Sequence, residues 1–150
     1  MIELTWTYKK FYELTTLELY AILKLRSEVF VVEQNCVYLD PDNKDQDSFH
    51  LCGWNENDLV AYARILPPGL AFEEASIGRV AANPLYRKTG SGKILMNHAI
   101  EKTLKQFPGS AIRIGAQLYL LSFYTSLGFK PSGPEYLEDG IPHIEMVLLK

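Results

Sequence analysis

The order of apolar and polar positions predicts strands and helices in alternation. Residues 4–8 alternate and are rich in Thr, Trp and Tyr, which predicts a strand. Thr15-Thr16-Leu17-Glu18 fits a capping box and starts a helix. Leu19, Ile22, Leu23, Val29 and Phe30 then recur at helical spacing on one face. Residues 35–47 form a polar loop holding Asp40, Pro41, Asp42, Asn43, Asp45 and Asp47. Residues 49–54 and 59–66 predict an antiparallel hairpin around the turn at 55–58, ending at Pro67-Pro68-Gly69.

Residues 75–82 predict another strand, 83–90 a loop, and 91–106 a helix stopped by Phe107-Pro108-Gly109. On that helix Leu95, Met96, Ala99, Ile100, Leu104 and Phe107 share an apolar face, opposite His98, Glu101, Lys102 and Lys105. A short apolar run at 111–116 predicts a buried strand. Residues 118–127 predict a short helix ended by Gly128, and 143–149 a last strand after the polar turn 138–140. One more short strand fits near Tyr136. The resulting order, β-α-β-β-β-α-β-α-β, is an α/β fold. Strands before and after the 91–106 helix predict one parallel crossover in a mixed sheet.

A length of 150 residues suits one domain, spanning 1–150, and 47% hydrophobic with 22% charged residues describes an ordinary globular chain. The net charge of -3 and the lack of a basic run give no reason to expect nucleic acid. Met1-Ile2-Glu3-Leu4-Thr5-Trp6 lacks the basic and apolar regions of a signal peptide, and no apolar run is long enough to span a membrane. Cys36 and Cys52 match no disulfide framework or zinc spacing and read as reduced thiols of a cytoplasmic protein. No histidine stands at a spacing that would make Cys36 a nucleophile.

The most informative segment is Arg87-Lys88-Thr89-Gly90-Ser91-Gly92-Lys93, between a strand and a strongly amphipathic helix. A helix start presents free backbone N–H groups and the positive end of the dipole, and glycines let a phosphate approach. A Walker A loop needs Gly at position 87 and Ser or Thr at 94, where Arg87 and Ile94 stand; a dinucleotide fingerprint needs Gly at position 95, which is Leu95.

The run Pro84-Leu85-Tyr86-Arg87-Lys88-Thr89-Gly90-Ser91-Gly92-Lys93 resembles the acetyl-CoA loop, P-x-x-R-x-x-G-x-G or -A, of the GCN5-related N-acetyltransferase (GNAT) superfamily. The run 117–129, with Phe123-Tyr124 and Leu127-Gly128-Phe129, is similar to the helix that follows that family's fifth strand. Segments 25–36, 61–64, 77–80 and 139–143, with the Asp-rich loop and His50, extend the resemblance to the ElaA-like branch over nearly the whole chain.

The resemblance implies a central mixed, twisted sheet of six to seven strands flanked by about four helices. It implies acetyl-CoA as cosubstrate and a small-molecule amine as acceptor. Backbone contacts to pantetheine fall at Val80 and Ala82. The pyrophosphate falls on Arg87, Lys88, Thr89, Gly90, Ser91, Gly92 and Lys93. Gln117 and Tyr124, seven residues apart, share the flank facing the cofactor, with Tyr124 as the general acid. The family also allows a homodimer through sheet edges. The rivals are a CoA-binding sensor without transferase activity and an acyltransferase with a different acyl donor.

The acceptor side is less defined. Arg26 falls in the apolar stripe and needs an anionic partner. Glu33 serves if the helix continues to it, and an aspartate of the 40–47 loop serves otherwise. Arg26, Glu33, His50, Arg64, Arg79 and His143 are the candidate pocket residues. Glu33, a histidine or a water chain remains open as the base that deprotonates the amine. No metal is expected at the aspartates, because Lys44 and Gln46 stand where a calcium loop needs an oxygen ligand and a glycine.

Overall fold

The computed structural model describes residues 3–149. Met1 and Ile2, part of the signal-peptide reading above, lie outside the described residues, as does Lys150. The strands are β1 Thr5–Lys10, β2 Phe49–Asn55, β3 Asp58–Leu66, β4 Ser76–Ala82, β5 Ile112–Gln117, β6 Lys130–Glu138 and β7 Ile141–Leu148. The α-helices are α1 Thr16–Arg26, α2 Ser91–Gln106 and α3 Leu121–Ser126.

The seven strands form two antiparallel sheets in the orders β1-β2-β3-β4 and β5-β7-β6. The expected parallel crossover through α2 is present, but it narrows to a single bridge, Ala75 to Ile112, with the Arg113 amide donating to the Ala75 carbonyl at 2.9 Å. Beyond that bridge β4 and β5 leave each other, and the cleft described below opens between them.

Both faces of the four-stranded sheet are covered. Along β2 and β3, Leu51, Ala61, Ala63 and Ile65 face α2 and the second sheet in the larger apolar cluster. The intervening Cys52 and Tyr62 join Ile22, Leu25 and Val29 on the α1 side. This is why β3 reads as an almost unbroken buried run rather than an alternating one. On α2, Leu95, Met96 and Ala99 are fully buried, each larger side chain contributing about 1.5–3 kcal/mol of transfer free energy. His98, expected in solvent, is half-buried against the Trp6 ring, 4.5 Å between centroids.

Helix α1 begins as its sequence demands. The Glu18 amide donates to Thr15 Oγ1 at 3.1 Å, and the Thr15 amide donates to Glu18 Oε1 at 2.8 Å. Its buried stripe is Ile22, Leu25 and Arg26, so Leu25 replaces Leu19 and Leu23 in the expected core face. The helix then widens into a π-helical segment, Ser27–Glu33. The wider winding shifts the phase of every later side chain. Strand β6 is longer than the short strand expected near Tyr136, and Pro131 and Pro134 sit on this edge strand as donor-free residues can.

Candidate active site

A cleft of about 740 Å³ runs along the opening between β4 and β5. At one end lies the start of α2. Asn83 caps a turn at Pro84–Tyr86, its Oδ1 accepting from the Leu85 amide at 3.0 Å. The Thr89 hydroxyl donates to the Tyr86 carbonyl at 2.7 Å, tying the loop to itself. Lys88 (φ 66) and Gly90 (φ 79) are both left-handed, which curls the backbone before the helix. The first helical amide bond runs from Ile94 to the Gly90 carbonyl, and among the described residues nothing accepts from the amides of Lys88 to Lys93. A Cβ placed on Gly92 meets nothing within 4 Å. A group with several anionic oxygens fits this concavity. Gly92 and Arg87 line the cleft itself. Lys88 and Lys93 are exposed nearby and make no ion pair among the described residues.

Midway along β4 the ladder with β3 slips. Ala81 pairs with Tyr62 and Gly78 with Arg64, leaving Arg79 and Val80 together opposite Ala63. This is a β-bulge with Arg79 in the left-handed region (φ 51). Such a conformation is costly for a residue with a side chain and persists only where the surroundings enforce it. Here Arg79 Nε donates to Asp40 Oδ1 at 2.8 Å and Nη2 to the Asp40 carbonyl at 2.9 Å. The bulge leaves Val80 without a partner residue on β3, facing the cleft. Ala82 lines the same wall.

Beneath the bulge, three arginines and three aspartates close a ring of alternating charge. Arg26 bonds Asp40 (2.8 Å) and Asp45 (2.7 Å), and Arg64 bonds Asp45 (2.9 Å) and Asp42 (2.8 Å). Arg79 joins Asp42 (3.4 Å) to Asp40 (2.8 Å). Arg26 is fully buried. Of its two possible partners, the aspartate loop is the one realised; Glu33 is not, because the π-helical segment turns it off the Arg26 face. The expectation that Arg26 touches a ligand is therefore corrected: its guanidinium lies under the pocket. Burial alone would raise the Asp45 carboxyl, but hydrogen bonds and charge from Arg26 and Arg64 hold it below the usual range. Asp42 likewise falls, as Arg64 outweighs burial.

His50 is also removed from the candidate pocket. Its Nδ1 meets the Tyr62 hydroxyl at 2.6 Å and its Nε2 the Asp45 carbonyl at 2.9 Å, inside the α1 face. Burial depresses its pKa, so the folded protein holds it neutral. The unfolded chain then binds the extra proton, and His50 stabilises the fold above about pH 6.5 and less as pH falls through that value. Asp42 and Asp45, also depressed, add a second loss below about pH 3.9. Unfolding free energy measured against pH should thus decline in two stages; a flat profile between about pH 6.5 and 5 would contradict the first.

Glu33 is the plainest correction on the catalytic side. Both its carboxylate oxygens accept from Arg87, one at 2.6 Å from Nη2, and it does not line the cleft. The Arg87 hydrogen bonds lower its pKa, which makes it a weaker base. Arg87, expected at the phosphate, holds Glu33 and the Ala82 carbonyl (3.2 Å).

Tyr124 and Gln117 both line the cleft, though not as neighbours on one helix. Gln117 ends β5, a 3-10 turn spans Leu118–Leu120, and α3 starts only at Leu121. Gln117 Oε1 accepts from Gln34 Nε2 at 3.2 Å. Tyr124 is 7% exposed, and its hydroxyl makes no hydrogen bond among the described residues. Burial pushes its pKa up to about 12. His143 lines the cleft as well, across β5–β7 from Gln117.

The sequence model of the acetyltransferase (GNAT) domain matches residues 25–150. The chain belongs to the GNAT superfamily. Within it the chain falls in the ElaA-like branch: protein ElaA of Escherichia coli strain K12 is 46% identical over 136 residues, 89% of each chain. This GNAT chain also superimposes on the crystal structure of Escherichia coli ElaA with a TM-score of 0.92 at 42% identity, covering 98% of this chain and 100% of that one. The crystal structure of an acyl-CoA N-acyltransferase from Pseudomonas aeruginosa gives a TM-score of 0.94 at 40% identity, with the same coverage. The GNAT family supports an acyltransferase using a CoA-linked donor. No helix among the described residues is long and apolar enough to cross a membrane.

Proposed function

We propose that this chain transfers the acetyl group of acetyl-CoA to a primary amine of a small-molecule acceptor, by direct attack while both are bound. The observation that carries the reading is the continuity of the cleft. It joins the helix start with its free amides, the Val80 bulge of β4 and Tyr124 of α3. The amides of Lys88 to Lys93, with Thr89, Gly90, Ser91 and Gly92 curling toward them, would hold the diphosphate. The Val80 and Ala82 backbone would hold the pantetheine.

In this reading the Val80 amide polarises the thioester carbonyl, a fixed donor aimed at developing negative charge. Tyr124 donates its proton to the departing sulfur. Its raised pKa keeps that proton in place at neutral pH. Much of the acceleration comes from holding amine and thioester together, a term worth up to roughly 7–11 kcal/mol. Cys36 and Cys52 are both free thiols, which agrees with a cytoplasmic setting.

The test is thiol release from acetyl-CoA, screened over polyamines, aminosugars, amino acids, aminoglycosides and peptide N-termini. Amine-dependent release supports the reading. Tight CoA binding with no release by any amine favours a sensor, and release only with longer acyl-CoAs favours a different donor.

A further inference from the structure

His143 is the one histidine whose surroundings leave a nitrogen free inside the cleft. It pairs with Gln117 of β5 on one side and with Tyr136 of β6 on the other. Directly paired residues point to the same face of a sheet, so the three form a row, and all three line the cleft. The imidazole is held in that row. It stacks on the Tyr136 ring, 5.7 Å between centroids and 29° between planes. Its Nδ1 lies 2.7 Å from the Ile141 carbonyl oxygen. A carbonyl oxygen only accepts, so Nδ1 carries the hydrogen and the lone pair of the neutral ring sits on Nε2. That nitrogen lies 3.7 Å from Glu138 Oε2, whose side chain is 61% exposed.

Several rival bases are engaged elsewhere. Glu33 is held by Arg87 outside the cleft, Asp42 by Arg64, and both ring nitrogens of His50 are occupied. His98 lies against Trp6. The Cys36 thiol donates to the Asp139 carbonyl at 3.4 Å. Tyr136 and Glu138 on β6 lie beside His143, and Asp139, Cys36, Tyr38, Arg79 and Tyr124 are among the other titratable groups that line the cleft.

We propose that His143 Nε2 is the general base that deprotonates the acceptor ammonium. Glu138 is its positioning carboxylate, balancing the imidazolium on the solvent side. The inference rests on the acetyl-transfer reading above. The ammonium gives one proton to Nε2, and the freed lone pair forms the C–N bond at the thioester carbonyl. The C–S bond breaks with its electron pair on sulfur, which takes the Tyr124 proton. The second nitrogen proton returns to the Tyr124 oxygen as the amide forms, and the imidazolium proton leaves past Glu138 to water.

The test compares two amines of different charge in acetyl-CoA thiol release near neutral pH. Ethanolamine is protonated there and needs a base; hydroxylamine is largely neutral and does not. His143→Gln should lower the ethanolamine rate by about 100-fold or more, in the range of general base effects, and by at least about 10-fold more than the hydroxylamine rate. Equal losses with both amines, or none, would overturn the assignment. Glu138→Gln alters an exposed side chain and should show the same selectivity at several-fold size; an unchanged ratio would remove Glu138 from the role. Long-range proton–nitrogen NMR of the three histidines should find neutral His143 protonated on Nδ1, and an Nε2–H tautomer would overturn the base whatever the kinetics. No release by the wild-type protein with either amine or with any acceptor of the screen above would instead count against acetyl transfer itself, leaving the tautomer to judge His143.

Discussion

Tyr124→Phe should lower kcat by about 100- to 10,000-fold while changing the Kd for acetyl-CoA by no more than about twofold. The substitution removes one hydroxyl and keeps the ring. That ring is packed edge-on against Phe123 (5.3 Å between centroids) and Phe129 (5.9 Å), contacts phenylalanine reproduces. The hydroxyl has no protein partner among the described residues to strand, so a loss of turnover would report proton donation rather than disrupted packing. Steady-state kinetics with a calorimetric Kd separates the two. Full turnover in the variant would take Tyr124 out of the acid role.

Asp45→Ala should destabilise the fold by roughly 3–5 kcal/mol, measured by urea unfolding. Asp45 Oδ1 accepts from both Arg26 and Arg64, at 2.7 and 2.9 Å. Its removal opens the ring at the two most deeply buried guanidiniums, 0% and 4% exposed, and leaves each with a single aspartate. The figure is the cost of stranding buried charge, which exceeds the net contribution of the intact ring. A change under about 1 kcal/mol would mean that the arginines find water or another acceptor.

The same ring marks where the sequence could be read and where it could not. Arg26 within an apolar stripe signals a buried charge that needs a partner, and spacing reduces the partner to two possibilities. Choosing between them requires the winding of the chain after Ser27, and nothing in Ser27–Glu33 distinguishes a π-helical from an α-helical continuation by apolar period. The glycine-rich start of α2 was legible because its geometry is local: Gly90, Gly92 and the first helical turn lie within a few residues. The β4 bulge was not, since a left-handed Arg79 is imposed by Asp40, thirty-nine residues away.

The two-sheet split has a similar origin. Residues 75–82 and 111–116 both read as apolar strands flanking a helix, which predicts a parallel pair. Only the register decides that they touch at Ala75 and Ile112 and then part. Strand β6 was legible only as a short stretch near Tyr136, because its edge position leaves it mostly exposed and no alternation marks its full length. His143 stood out only as a histidine on a strand. Its free Nε2 depends on the Ile141 carbonyl and on the row formed with Gln117 and Tyr136, which come together through strand pairing.

The most direct measurement is calorimetric titration of acetyl-CoA into the wild-type protein and into Gly92→Glu. The open space beside Gly92 lets the glutamate fold without a clash, so the unfolding transition should stay in place. Its carboxylate would then sit among the Lys88–Lys93 amides as a competing anion, and affinity should fall by about 100-fold or more. Wild-type affinity in the variant would contradict the claim that this helix start holds the diphosphate.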